Sequence, residues 1–101
     1  MKRVNIKGRV YRIISKPHPD AATELNQPEE KLDGYCDSEG AEIYLNPNLD
    51  REFYQTLIHE MIHGCLYEVG VELSPELEEV VAESVSIMID QNFKISPKGK
   101  K

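Results

Sequence analysis

The spacing of apolar and polar positions changes midway along the chain. From Val4 to Ile14 charged and apolar residues alternate, and Val10, Tyr11, Ile13 and Ile14 favour strands. This segment predicts one β-strand, with Gly8 as a bulge. Lys16 to Lys31 carries Pro17, Pro19, Asp20, Asn26 and Pro28. It predicts a loop with room for one helical turn from Ala21 to Leu25. Leu32 to Asp37 and Ala41 to Leu45 flank Ser38-Glu39-Gly40. That arrangement predicts a hairpin with Ile43 and Leu45 on one face and Glu42 and Tyr44 on the other. Asn46-Pro47 ends it.

The period then lengthens. Phe53, Leu57, Ile58, Met61, Ile62, Cys65, Leu66 and Val69 recur at three- and four-residue steps, the signature of an amphipathic helix. Asn46 or Asp50 is placed to cap its start and Gly70 to end it. A second helix opens at Ser74-Pro75-Glu76, with a cap residue, proline at the first position and acid in the first turn. It is expected to reach about Asn92. Its apolar stripe is Leu77, Val80, Val81, Ile87 and Met88, with Ser84 in line. Glu76 and Glu78 read as solvated acids that favour the helix N-terminus. Strand, loop, hairpin and two helices predict an α+β domain over residues 1–93. It would be a three-stranded sheet packed on two helices, followed by a Lys-rich tail at 94–101.

A chain of 101 residues is one domain. No apolar run approaches the ~18 residues that span a bilayer, and Met1 to Tyr11 lacks the apolar core of a secretory signal. The chain is therefore expected in the cytoplasm and off the membrane, with Cys36 and Cys65 as free thiols. The net charge of −6 opposes nucleic-acid binding, which needs cationic groups to neutralise phosphates. Lysines and arginines near both ends read as solvated strand faces and tail.

The first helix contains His59-Glu60-Met61-Ile62-His63, an HExxH pattern. Residues four apart share a helical face, so two imidazoles there can converge on one ion. Glu60 lies a quarter turn or so away. It can reach a water at that ion without being a ligand, as a general base would. With 3 histidines in the chain, a chance match is worth about 1%. A catalytic zinc site usually takes a third protein ligand. Glu79 and Glu83, one turn apart on the second helix and bordering its apolar stripe, are the candidates. His18, between two prolines, reads as a loop histidine, and Cys65 as core.

HExxH on one helix followed by a glutamate on the next resembles the gluzincin metallopeptidases. Gln55 to Gly70, with Leu73 to Glu76 and Val80 to Glu83, more closely resembles small metallopeptidase-like proteins of phages and prophages. These lie near the ImmA/IrrE, SprT-like and minigluzincin groups. The resemblance covers residues 32–93. It implies zinc held by His59, His63 and Glu79, Glu60 as base, and Glu83 orienting His59. Glu83 stands where that clan has Asp, which leaves the choice of ligating glutamate open. The resemblance further implies a peptide or protein substrate, laid along the strand containing Ile43 and Tyr44, and a host or phage protein as a partner. Tyr67, four residues past His63, is a candidate to assist at the scissile carbonyl. The expected function is zinc-dependent peptide hydrolysis. The alternatives are a zinc-stabilised binding module, or a latent form in which the Lys16–Lys31 loop or the Phe93–Lys101 tail covers the site.

Overall fold

A computed structural model describes residues 2–16, 33–47, 52–96 and 98. Four strands and two helices follow one another: β1 (Arg3–Ile6), β2 (Arg9–Ile14), β3 (Gly34–Asp37), β4 (Glu42–Leu45), α1 (Phe53–Val69) and α2 (Pro75–Asn92). The class is α+β, as expected, but the sheet is four-stranded, with order β1-β2-β4-β3. The expected loop at 17–31 lies outside the described residues.

The additional strand comes from a turn inside the alternating N-terminal run. Lys7 and Gly8 both have positive φ, 53° and 86°, and join β1 to β2 with Ile6 opposite Arg9. Two consecutive left-handed residues match the natural twist of a hairpin. The chain therefore folds back where one bulged strand was expected. Alternation survives on both arms, so Val4, Ile6 and Tyr11 all point inward. β2 then pairs in parallel with β4, Ile13 opposite Ile43, and β3 pairs antiparallel with β4 as the expected hairpin.

β4 is consequently a central strand. Its Ile43 and Leu45 join Val4, Ile6, Tyr11 and Leu57 in the core. This overturns the expectation that the Ala41–Leu45 strand is a free edge for substrate: it is bonded on both sides, and β3 is the outer strand. α1 lies close on the sheet at Gly64, where a Cβ would stand 2.9 Å from Ile6 Cδ1. Glu68, near its end, accepts hydrogen bonds from the Tyr11 hydroxyl (2.5 Å) and the Arg9 guanidinium (2.8 Å). Arg9 also donates to the Ser38 and Glu39 carbonyls, 2.7 Å each. One guanidinium thus ties the β3–β4 turn to α1 and holds β3 beside it.

The helix bounds follow the expected signals except at the start of α1. There Glu52, not Asn46, is the cap, and its carboxylate accepts from the Gln55 amide at 3.0 Å; Asp50 lies outside the described residues. Gly70, at φ 75°, ends α1, with Val71 N–H returning to the Leu66 carbonyl, a left-handed C-cap. Ser74 caps α2 through its hydroxyl. Two faces turn differently from expectation. Cys65 is exposed rather than core. On α2 the fully enclosed residues are Ala82 and Ser86, while Leu77, Val80 and Met88 are about half exposed. The expected apolar stripe is thus split: Leu77, Val80 and Met88 face outward, whereas Val81 and Ile87 are partly buried. Among the described residues no helix is long and apolar enough to cross a membrane.

Candidate metal centre

The two helices form a hairpin, and its inner faces carry His59, His63, Glu79 and Glu83. As α1 advances one turn from His59 to His63, the facing position on α2 retreats one turn, from Glu83 to Glu79. Glu79 lies between the imidazoles: Oε1 is 2.7 Å from His59 Nε2 and Oε2 is 3.2 Å from His63 Nε2. The outer nitrogens have their own carboxylates. His59 Nδ1 meets Glu83 at 3.0 Å, and His63 Nδ1 meets Glu78 at 2.5 Å.

With an ion bound, the carboxylate beside each Nδ1 would hold a proton there and leave each Nε2 lone pair for the shared point. His59, His63 and Glu79 each offer a ligand atom, all within 4.8 Å of one another. Donors about 2 Å from a common ion fit that spread. The group could hold a metal ion. Glu83 stands behind His59, where the resemblance implies a ring-orienting residue. Glu78 does not stay in solvent as expected; it is the corresponding partner of His63. Its place in the first helical turn suggested capping instead, and the signal that distinguishes it is its position one residue before Glu79 on an antiparallel partner.

Glu60 is buried as fully as His59, 7% against 8% exposed. Gly34 of β3 passes against it: a Cβ at that glycine would meet Glu60 Cγ and Oε2 at 3.1 Å, and Thr56 Cγ2 at 3.2 Å. Burial pushes the Glu60 carboxyl up to about 7; the neighbouring His63 charge lowers it, and Glu79 and Asp33 raise it. Burial pulls the His63 imidazole down. The Glu78 hydrogen bond and the charges of Glu60 and Glu79 outweigh that, so its net shift is upward.

A groove of about 1010 Å³ opens over these residues. β3 lines one side through Gly34, Tyr35 and Cys36, and the start of α2 lines the other. Burial raises the Cys36 thiol to about 12, so it is an uncharged lining group. Tyr67 lines the groove and is half exposed. Ile43 and Tyr44 do not line it. Ile43 is fully enclosed, and the Tyr44 hydroxyl donates to Glu42 at 2.8 Å. Residues 93–95 line a separate cavity beside the start of α1, with Glu52, Tyr54, Gln55, Ile58 and Asp90. No family model, curated protein or solved structure matches the chain.

Proposed function

We propose that this chain is a zinc-dependent metallopeptidase of the gluzincin kind, hydrolysing peptide bonds in the groove between β3 and the helix hairpin. The observation that carries the reading is the shared point between His59 Nε2, His63 Nε2 and Glu79, with Glu60 beside it and outside the ligand set. Zinc bound there would polarise a substrate carbonyl and make water nucleophilic near neutral pH. The chain's own groups do the rest. His59, His63 and Glu79 hold the ion, while Glu83 and Glu78 keep the two rings in register. Glu60, with a carboxyl poised near neutrality, takes a proton from the attacking water and can pass it to the leaving amine. A peptide would lie along β3, the outer strand, rather than along β4. Tyr67 is placed to meet it at the rim.

The test is zinc content together with turnover. Purified protein should carry about one zinc per chain, and zinc-loaded protein should cleave unfolded casein. Glu60→Gln should keep the zinc and lose the cleavage. Full zinc with no cleavage by the wild type would instead favour a zinc-stabilised binding module. One observation supports that second reading: α2 encloses only Ala82 and Ser86, so an ion tying the helices together would add folding energy.

A further inference from the structure

We infer that Thr56 is the positioning residue for Glu60: its hydroxyl donates a hydrogen bond to the Glu60 carboxylate and holds it toward the metal centre. The inference rests on the reading of Glu60 as the proton acceptor. Thr56 is 3% exposed, and its Oγ1 is the one fully buried side-chain polar atom without a hydrogen-bond partner among the described residues. A buried hydroxyl left unpaired is costly. A helical threonine usually bonds back to the carbonyl four residues earlier. Here the Glu52 carbonyl receives the Thr56 amide at 3.2 Å, and the hydroxyl does not join it. Valine would fill the same volume without that cost, so packing alone does not account for a hydroxyl at this position.

The neighbouring groups point to its partner. Glu60 lies one turn further along the same helical face. Among the described residues, its carboxyl has no hydrogen bond either. A Cβ at Gly34 would stand 3.2 Å from Thr56 Cγ2 and 3.1 Å from Glu60 Oε2, so both side chains border one niche under β3. In helices threonine divides between two χ1 rotamers. A step of about 120° about χ1 can carry the hydroxyl into the place the methyl now holds, on the side of the niche bordered by Gly34 and the Glu60 carboxylate. A carboxylate held from behind by one donor keeps its second oxygen free for water.

Zinc-loaded wild type, Thr56→Val and Thr56→Ser are compared on fluorescein-labelled casein. Thr56→Val should keep its zinc and a thermal midpoint at or above that of the wild type. Its kcat should fall at least about tenfold with KM unchanged, as loss of a well-placed base does. Thr56→Ser should restore most of the rate. A valine variant with wild-type kcat would overturn the inference. Should the wild type not cleave casein, the peptidase reading is what fails, and the inference is then judged on a crystal structure of the zinc-loaded protein. Oγ1 within about 2.5–3.0 Å of a Glu60 oxygen upholds it. Oγ1 turned to the Glu52 carbonyl, or bonded to nothing, ends it.

Discussion

Glu60 is a carboxyl group that the fold buries, and its energetics follow from that burial. Its folded value of about 7 lies above the ordinary 4.5, so the folded state keeps a proton that the unfolded chain gives up. Stability from this group is complete below about 4.5 and is lost as pH rises toward 7. The loss amounts to about 3 kcal/mol. His63, also raised, adds in the same direction, since its contribution fades as pH climbs past its folded value. Urea unfolding of metal-free protein should therefore show falling stability from pH 5 to 8. Glu60→Gln should remove most of that slope and be the more stable protein at pH 8. A flat wild-type profile would contradict the burial argument. The carboxylates around the two rings should separate by role. Glu79→Ala should weaken zinc binding most, measured by competition with a chelating dye. Glu83→Ala and Glu78→Ala should each cost about 10–100-fold, as loss of a ring-orienting partner does. At this scale the two imidazoles were legible because helical spacing alone converges them, whereas Glu79 was legible only as one of two candidates with Glu83. Glu78 and Thr56 were not: an acid in a first turn reads as a cap, and a threonine amid apolar residues reads as filler.

The elements were legible where one signal acted unopposed. Ser74-Pro75 and Gly70 mark helix ends through backbone geometry, and both stand where expected. Lys7-Gly8 was missed because lysine is an uncommon choice for a left-handed turn position, so alternation ran through it unbroken. The face of α2 was misread for a different reason. Its apolar stripe is the stronger pattern, but the helix turns Glu78, Glu79 and Glu83 toward α1, and Ala82 and Ser86 follow them into the seam. Two substitutions check this orientation by thermal unfolding. Val80→Lys, on the outward stripe, should change stability by no more than about 0.5 kcal/mol. Ala82→Leu, in the seam, should cost about 1–3 kcal/mol through overpacking.

For the molecule as a whole, the sheet and α1 share a core, whereas among the described residues α2 packs chiefly on α1. Much of its attachment consists of imidazole–carboxylate contacts. Stripping zinc with a chelator should therefore lower the thermal midpoint. Limited proteolysis should then cut first in residues 70–74, between the helices, with zinc restoring resistance. Equal protection with and without the ion would mean that the seam stands on its packing alone.

Gly34 has one more consequence. Because the outer strand passes within a methyl group's breadth of Glu60, the sheet margin bears directly on the proposed proton-transfer group. A guest molecule that draws β3 outward or presses it inward would shift the carboxylate with it. Occupancy of the sheet margin would then act as a throttle on the chemistry, with a missing side chain as the linkage.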